Sequence, residues 1–462
     1  MEVSERGRGA AAVARLLKAA EDSPPVEAVE AVTRELGEAL GAATVSFLIA
    51  DLSGRSLVRL AHVEVSTSDG ANDDEARLAR GERRAAAESA TVMPFDGGPM
   101  EQAVRTQQVM VRASDWSPAG FEGVALWWVL APVTERGEVI GLLEFLLPER
   151  PSAETVREIR SLAHMLAFVV IANRRHTDLY EWGQRTRPLS LSAEIQHRLL
   201  PGPQTCEGGS FTLAGWLEPA AGIAGDTFDF SLARDLLHLS ITDAMGHGVA
   251  AALNATLCVG SLRNARNGGA SLLGQVTLTN MALVEHAMNA GLEDFVTGLI
   301  GRIDLRSGSL EMVNAGHVAP YLARGADVVA LELPADLPLG LFPEAAYRSH
   351  STTLEPGDRL VLVTDGMLER NASHVDLSVA IRDTRALNPR EAVRALADRA
   401  LDATGSDLKD DATILCIDWH GGTVPIATAR TGRTPPAPVA PSPDVVQSGC
   451  RACWRAAPGH HK

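Results

Sequence analysis

The sequence predicts an α+β protein with two folded domains, and three observations support this fold class. The chain has 462 residues, whereas a single domain commonly has about 100–200. Strand-like stretches follow one another across short turns, which indicates antiparallel sheets. Helical stretches are grouped between these blocks of strands, as in layered folds whose helices cover sheets. We therefore expect two sheet-containing domains joined by a helical connection.

Composition and charge restrict the class of protein. Hydrophobic residues make up 45% of the chain and charged residues 22%, which is ordinary for a globular protein. The net charge of −16 argues against nucleic acid or an anionic membrane as the main partner. The longest apolar runs, such as MLAFVVIA at 165–172, are shorter than the ~20 residues of a membrane span, and the N-terminus lacks the apolar core of a signal peptide. With cysteines that form no disulfide framework, these features predict a cytoplasmic protein.

The N-terminal part of the chain is predicted to form a helix and then an α/β domain. Residues 1–25 form the helix or a flexible segment, which ends at a Pro-Pro breaker. Within 26–175, ATVSFLIA and LVRLAHVE are predicted strands, and LWWVLAPV and EVIGLLEFLL pair as a hairpin. A closing helix then carries an apolar stripe at spacings of three and four residues. The stripe consists of Ile159, Leu162, Leu166 and Val169.

This order of elements resembles a GAF domain, the small sensory fold that is common ahead of bacterial signalling enzymes. The resemblance implies an unidentified small-molecule or protein signal at this domain and a homodimeric protein. No cysteine precedes Cys206, so a thioether-linked bilin is excluded for this segment. The alternative interpretation is a GAF-like domain that serves only for dimerisation.

Two further segments flank the second domain, which we assign to residues 205–420. Residues 176–204 are expected to form two helical pieces, because Pro188 disfavours a helix at the preceding residue. They either transmit a signal or act as a rigid spacer. The Pro-rich tail, 421–462, is expected to be disordered. Its Cys450, Cys453, His460 and His461 are a candidate zinc set, although an unstructured end is the interpretation that we favour.

Residues 205–420 contain four short stretches that are centred on aspartate. They are AGDTFDF at 224–230, TDAMGHG at 242–248, TDGMLER at 364–370 and KDDATI at 409–414. One such stretch is ordinary turn chemistry, but four clustered aspartates would repel one another without compensation. Oxygen ligands without His or Cys suit Mg²⁺ or Mn²⁺, and two such ions about 3.5–4 Å apart can hold a phosphoryl group and activate water. We expect the small residues after Asp243 to let a main-chain carbonyl approach a cation.

Six motifs in order resemble those of a known enzyme family. AGDTFDF, TDAMGHGVAAAL, VNAGHVAPYL, LPLGLF, TDGMLER and DDAT resemble the SpoIIE/RsbU branch of the PPM metal-dependent protein serine/threonine phosphatases. The helix AEIQHRLLP just before the domain is also typical of that branch. The resemblance implies an α–β–β–α sandwich, in which two antiparallel sheets lie between helices and a dimetal site lies at one edge of the sheets.

The resemblance also implies a role for individual residues. Asp226, Asp243 and the main-chain carbonyl of Ala244 correspond to ligands around the metal pair. Asp365 and Asp410 correspond to ligands of the second metal. The implied cofactors are two or three Mn²⁺ or Mg²⁺ ions.

Five other residues near these motifs are candidates for supporting or catalytic roles. Asp229 is expected behind the ligands or as a structural partner, and Asp411 exchanges roles with its neighbour if the alignment shifts by one residue. His247 is a candidate acid that protonates the leaving serine oxygen, since its ordinary pKa suits proton transfer, or it packs at the helix start. His317 is expected to fix a hairpin turn near the site, with Asn314 as a capping amide.

The predicted function is a protein phosphatase that hydrolyses phosphoserine or phosphothreonine by means of water activated by two cations. The family implies a phosphorylated STAS-type anti-sigma factor antagonist as substrate. Cysteines 206, 258 and 416 lie outside the four motifs, which disfavours a cysteine phosphatase. One alternative is a metal-binding scaffold without turnover, against which the intact aspartates argue. Another is a nucleotide cyclase or phosphodiesterase, which the absence of a Walker-type loop and of an HD pair in the sequence disfavours.

Overall fold

The computed structural model describes residues 13–64, 91–118, 121, 123–186, 189–219, 225–291, 294–368, 376–404, 408 and 410–422. All of these residues belong to one compact unit, which spans 1–423. The tail with its candidate zinc set, Cys450, Cys453, His460 and His461, lies outside the described residues. Within the described ranges, every helix is too short or too polar to cross a bilayer.

The secondary structure alternates between groups of strands and groups of helices. Residues 13–21 are helical, and the later helices are α1 (Ala28–Leu40), α2 (Pro99–Thr106), α3 (Ala153–Asn173), α4 (Leu179–Gln184), α5 (Leu191–Leu199), α6 (Gly248–Asn267), α7 (Leu272–Ala290), α8 (Leu377–Asp383) and α9 (Pro389–Thr404). The N-terminal strands are β1 (Thr44–Ala50), β2 (Ser56–Glu64), β3 (Val92–Pro94), β4 (Met110–Ala113), β5 (Trp127–Glu135) and β6 (Glu138–Leu147). The later strands are β7 (Thr205–Glu207), β8 (Phe211–Glu218), β9 (Asp226–Leu232), β10 (Leu236–Ala244), β11 (Val296–Asp304), β12 (Ser309–Ala315), β13 (Tyr321–Arg324), β14 (Asp327–Ala330), β15 (His350–Thr353), β16 (Arg359–Val363) and β17 (Ala412–Trp419).

The N-terminal strands form one antiparallel sheet in the order β3-β2-β1-β6-β5-β4. The expected hairpin is present, since β5 pairs with β6 up to Glu135 opposite Glu138. Helices α1 and α3 cover one face, and the predicted stripe of α3 is buried against it. Helix α2 packs on the other face through Ala103 and Val104. The strands and the closing helix are thus as expected, and the assignment of this part to the GAF fold stays a prediction.

The later strands form two antiparallel sheets that pack face to face. One has the order β15-β12-β11-β10-β9 and the other the order β14-β13-β16-β17-β8-β7. Apolar side chains from both sheets, such as Phe228 and Leu415, form the core between them. Helices α6 and α7 cover the first of these sheets, and α8 and α9 cover the second. The expected α–β–β–α sandwich is confirmed.

The connecting segment forms two separate helices, as the proline in it predicts. Helix α4 packs on the N-terminal sheet, where Tyr180 is 2% exposed and Gly183 lies directly on Leu60 and Ile49. Helix α5 packs on the sandwich, against α6 and β9. Its first turn is capped by Ser190, whose hydroxyl accepts a hydrogen bond from the Ala193 N–H at 3.2 Å. The connection therefore contacts both parts of the compact unit.

Candidate active site

The first two candidate ligands come from neighbouring strands. Asp226 begins β9 and Asp243 is the penultimate residue of β10, and the two lie directly opposite each other in the antiparallel pairing. The N–H of Ala244 donates to the carbonyl oxygen of Gly225 at 3.2 Å. A β-carbon at Gly225 would lie 2.5 Å from the Ala244 carbonyl oxygen, so only glycine permits this approach. The register and one glycine therefore bring both carboxyl groups and the Ala244 carbonyl to the same sheet edge.

The other candidate ligands come from the facing sheet. Asp365 begins a 3₁₀ turn just after β16, and Asp410 and Asp411 immediately precede β17. Strands β16 and β17 are antiparallel neighbours, so the end of one lies beside the start of the other. A side chain at Gly366 would overlap the Asp411 carbonyl oxygen, which makes the two segments adjacent at the backbone level.

Electrostatic coupling shows that the aspartates of the two sheets face one another. Burial, followed by the charges of Asp365, Asp410 and Asp411, raises the pKa of Asp243 to about 7. Burial, with the charges of Asp243 and Asp411, also raises the pKa of Asp226 well above its usual value. The pKa of Asp410 is raised too, first by burial and then by Asp365. Among the described residues, the charges that shift the pKa of Asp243 are all negative, so the aspartates at this edge of the sandwich repel one another.

This donor set fits hard divalent cations, since it consists of carboxylate and carbonyl oxygens. Among the residues that the structure describes, however, no three acidic, histidine or cysteine side chains are arranged closely enough to hold a metal ion. The carboxyl groups share one edge without being drawn together into a coordination shell. The metal-ligand roles of Asp226, Asp243, Ala244, Asp365 and Asp410 remain a prediction.

Two threonines that the sequence analysis did not single out hold Asp226 in place. The hydroxyls of Thr364 and Thr413 donate to Asp226 Oδ2 at 2.6 and 2.7 Å, and all three residues are buried. The Thr413 N–H in turn donates to the Thr364 hydroxyl at 2.9 Å. Both threonines belong to motifs already quoted, TDGMLER and DDAT, so their adjacency to the aspartates was the available signal. They tie the β9 carboxylate to the opposite sheet.

The connecting helix also reaches the site, which the sequence analysis missed. Gln196 of α5 is 1% exposed, and its side-chain N–H groups donate to the Asp226 carbonyl oxygen at 2.9 Å and to Asp411 Oδ2 at 2.6 Å. Asp411 is itself buried, whereas Asp410 is partly exposed. Asp410 and Asp411 are linked by a hydrogen bond from the Asp411 N–H to Asp410 Oδ1 at 2.9 Å. Both belong to what we call the acidic edge, which consists of Asp226, Asp243, Asp365, Asp410 and Asp411.

Asp229 lies apart from this edge and is a structural partner. Its carboxylate accepts hydrogen bonds from Arg263 at 2.9 and 3.2 Å and from Arg266 at 3.3 Å, both on α6. The spacing of three residues from Asp226 places the two side chains on opposite faces of β9. Of the two roles left open for Asp229, the structure assigns the second.

The turn that leads into α6 owes its glycines to backbone torsion. Gly246 and Gly248 have φ of 101° and 73°, and a β-carbon at either would meet no atom within 4 Å. The approach of a main-chain carbonyl to a cation, which we expected from the small residues after Asp243, stays a prediction. Between the two glycines, His247 is exposed and does not cap the helix with its side chain. This exposure favours the catalytic interpretation over packing at the helix start, and the catalytic role stays a prediction.

His317 is buried beneath the site and fixes the loop there. Its Nε2 donates to the Val363 carbonyl oxygen at 3.1 Å, so Nδ1 accepts from the Thr297 hydroxyl at 2.8 Å. Burial lowers the pKa of His317 to about 4, which keeps the ring neutral. Asn314 completes the turn, since its amide oxygen accepts from the His317 N–H and its amide nitrogen donates to the His317 carbonyl. The expected structural role agrees with these contacts.

The C-terminal part of the chain is similar to a known family of proteins. The family model described as Stage II sporulation protein E (SpoIIE) matches residues 233–420, which include Asp243, Asp365 and Asp410. The phosphoserine phosphatase RsbU of Bacillus subtilis is 23% identical over 286 residues, which cover 60% of this chain and 83% of RsbU. Stage II sporulation protein E of B. subtilis is 21% identical over 201 residues, which cover 42% of this chain and 24% of that protein. This chain is thus homologous to a phosphoserine phosphatase, and it spans about a quarter of the sporulation protein.

Among solved structures, the PP2C phosphatase domain of SpoIIE from B. subtilis, with a fragment of its regulatory domain, is similar to this chain. The two are 16% identical, with a TM-score of 0.40, and the match covers 72% of this chain and 78% of that one.

Proposed function

We propose that this chain, whose C-terminal part is a SpoIIE-type PP2C phosphatase domain, hydrolyses phosphoserine or phosphothreonine on a regulatory protein with the help of divalent cations. The observation that carries the proposal is the meeting of aspartates from both sheets at one edge of the sandwich. Asp226 and Asp243 are paired across β9 and β10, and Asp365 and Asp410 lie at adjacent ends of β16 and β17. Cations at this edge would compensate the repulsion. Bound Mn²⁺ or Mg²⁺ supplies a Lewis acid for the phosphate and lowers the pKa of water.

The residues proposed to hold the ions are the five that the family resemblance implies. They are Asp226, Asp243, the Ala244 carbonyl, Asp365 and Asp410. The protein's own part in the reaction is to keep these oxygens at one edge and Asp226 tied to Thr364 and Thr413. We propose two or three ions.

We propose His247 as the acid that protonates the leaving oxygen. It is exposed four residues after Asp243, and the first turn of α6 does not use its side chain as a cap. A His247→Gln variant should lose the fall of kcat towards high pH, because a general acid must be protonated to act, and should keep its affinity for Mn²⁺. An unchanged pH–rate profile would remove His247 from the mechanism.

The activity test is release of phosphate from a phosphoserine protein with Mn²⁺, and with EDTA added. We expect release with Mn²⁺ and none with EDTA. A metal-binding scaffold without turnover, the alternative, would bind Mn²⁺ and a partner protein but release no phosphate. Asp365→Asn provides a control that keeps the fold and lacks one predicted ligand.

The substrate that we propose is a phosphorylated STAS-type anti-sigma factor antagonist, as the family resemblance implies. The choice is tested by comparing kcat/KM for several phosphorylated STAS proteins with that for an unrelated phosphoserine protein. Equal values would contradict it.

We also propose that the N-terminal sheet is a GAF-like sensor that regulates the phosphatase in a cytoplasmic homodimer. Contacts between the two parts support the regulation. Arg55, in the turn after β1, donates to Glu218 of β8 at 3.2 Å and to Asp398 of α9 at 3.0 Å. Glu138 of β6 accepts from the Thr205 N–H at 2.8 Å. These contacts join sensor turns to a strand and a helix of the sandwich.

The regulatory proposal is tested with a pair of arginine variants. Arg55→Ala removes contacts between the two parts, whereas Arg59→Ala removes a 3.0 Å ion pair to Glu144 within the N-terminal sheet. Only Arg55→Ala should change the rate of phosphate release. Equal rates of phosphate release from both variants and the natural protein would show that the contacts between the two parts do not regulate the phosphatase.

A further inference from the structure

The side chain of Gln196, on the connecting helix α5, forms hydrogen bonds with the acidic edge. Both N–H groups of its amide are used: one on the Asp226 carbonyl oxygen at 2.9 Å and one on Asp411 Oδ2 at 2.6 Å. The side chain is 1% exposed, and a buried amide of this kind is stable only when such bonds are made. Gln196 therefore contacts two of the segments that carry predicted ligands.

The position of helix α5 is fixed by contacts other than those of Gln196. At its C-terminal end the Leu199 carbonyl oxygen accepts from Arg263 at 2.7 Å, and Arg263 is itself paired with Asp229. At its N-terminal end Glu194 pairs with Arg185 at 2.7 Å. Because helix α5 is held at both ends, the position of the Gln196 amide relative to the Asp411 carboxylate is fixed.

A neutral donor suits this position. The Asp411 carboxylate is buried, and Gln196 donates to its Oδ2 at 2.6 Å, so this partner fixes its orientation. A lysine would cancel the charge that a cation requires, and a glutamate would add to the repulsion. Glutamine leaves the negative charge in place while it orients the carboxylate.

The hold extends to a second predicted ligand through the backbone. The N–H of Asp411 donates to Asp410 Oδ1 at 2.9 Å. A displacement of Asp411 therefore also moves the N–H that holds the Asp410 carboxylate. On the other side, Gln196 fixes the peptide of Asp226, whose carboxylate is fixed by Thr364 and Thr413.

We propose that Gln196 is a positioning residue: by fixing Asp411 and the Asp226 peptide, it sets the spacing with which the acidic edge binds divalent cations. The inference rests on the proposed function for the presence of those cations, and it adds that the connecting helix forms part of the binding structure.

The test uses the full chain and measures Mn²⁺ binding by calorimetry without substrate. Gln196→Met and Gln196→Leu replace the amide with an apolar side chain of similar size and so remove both hydrogen-bond donors. Both should bind Mn²⁺ roughly 10- to 100-fold more weakly, as is usual when a residue that orients a ligand is lost. The matched control is Arg198→Ala, also on α5, which removes the pairs to Glu181 of α4 and to Glu194 of α5. It should change Mn²⁺ affinity by less than about twofold, since these pairs are exposed.

A second measurement separates positioning from general destabilisation. For Gln196→Met and Gln196→Leu, the Mn²⁺ concentration that gives half-maximal phosphate release should rise by the same factor as the Mn²⁺ dissociation constant. At saturating Mn²⁺, kcat should largely return to the value of the natural protein. A lower kcat with unchanged Mn²⁺ affinity would overturn the proposal.

The remaining outcomes are also decisive. Equal Mn²⁺ affinity in the natural protein and both folded glutamine variants refutes the positioning role. So does unfolding of both variants in EDTA while Arg198→Ala stays folded, because Gln196 would then serve only packing. Mn²⁺ binding that depends on Gln196 in a protein that releases no phosphate would support the positioning role and reject the proposed function.

Discussion

Replacement of Asp243 by asparagine should stabilise the metal-free protein while it abolishes activity. The ionised Asp243 carboxylate is repelled by Asp365, Asp410 and Asp411 and is largely buried, so the fold resists its ionisation. Asparagine keeps the shape of the side chain and carries no charge. The variant therefore loses both the repulsion and one predicted cation ligand.

The size of the stabilisation follows from the pKa. An acid whose pKa rises from 3.8 to about 7 on folding lowers the stability as the pH rises from the first value to the second. Three pKa units correspond to roughly 4 kcal/mol, which we reduce to about 2–3 kcal/mol because part of the carboxyl still contacts water. For a domain of this size, that gain raises Tm by roughly 5–10 °C. The gain should be full at pH 8 and vanish below pH 4.

The assay is thermal unfolding in EDTA at pH 4 and pH 8, with Mn²⁺-dependent phosphate release measured in parallel. Asp229→Asn is the matched control, since it makes the same chemical change in the neighbouring strand. Asp229 is paired with Arg263 and Arg266, so its loss should destabilise the protein by about 1–3 kcal/mol. The two variants should thus shift Tm in opposite directions.

A lower Tm of Asp243→Asn at pH 8 in EDTA would refute the reasoning, because the aspartates would then not repel one another in the metal-free fold. Phosphate release that survives in this variant at the natural rate would refute the assignment of Asp243 as a ligand.

Three further variants test other parts of the structure. Asp365→Ala should abolish Mn²⁺-dependent phosphate release and leave Tm in EDTA unchanged or slightly higher, because Asp365 is exposed at the sandwich edge and its charge repels Asp243; a large loss of Tm would contradict this. Thr413→Val removes a hydroxyl that donates to Asp226 at 2.7 Å and should weaken Mn²⁺ binding roughly 10-fold, whereas Thr413→Ser should keep it; equal affinities in calorimetry would count against the support role. Burial raises the pKa of Glu138 from 4.5 to about 7, so the natural protein should lose stability relative to Glu138→Gln as the pH rises across that range; parallel urea-unfolding profiles from pH 4 to pH 8 would show that Glu138 does not titrate in this way.

Much of the fold could be predicted from local sequence. The stripe of α3 is visible at spacings of three and four, and the β5–β6 hairpin follows from two apolar runs around a short turn. The two connecting helices follow from a proline between them. These features depend on residues close together in the chain, where the periodicity of the side chains determines which face is buried.

The ordered aspartate motifs predict the chemistry of the site, and the family resemblance gives Asp226 and Asp229 different roles, but the sequence left two roles open for Asp229. The alternation of side chains along a strand puts these two on opposite faces, and only the neighbours on each face decide what each one does. Asp226 accepts hydrogen bonds from threonines of the opposite sheet, and Asp229 forms ion pairs with arginines of α6.

The sequence by itself determined the fold class, the order of the elements and the acidic residues of the site. The tertiary structure decided how those residues are held. The contact from Gln196 to Asp411 joins positions 215 residues apart, and the one from Thr413 to Asp226 joins positions 187 apart. No local pattern encodes such pairs, because they exist only after two sheets and a helix have packed together. The same holds for Gly225, whose lack of a side chain matters only because the Ala244 carbonyl lies against it.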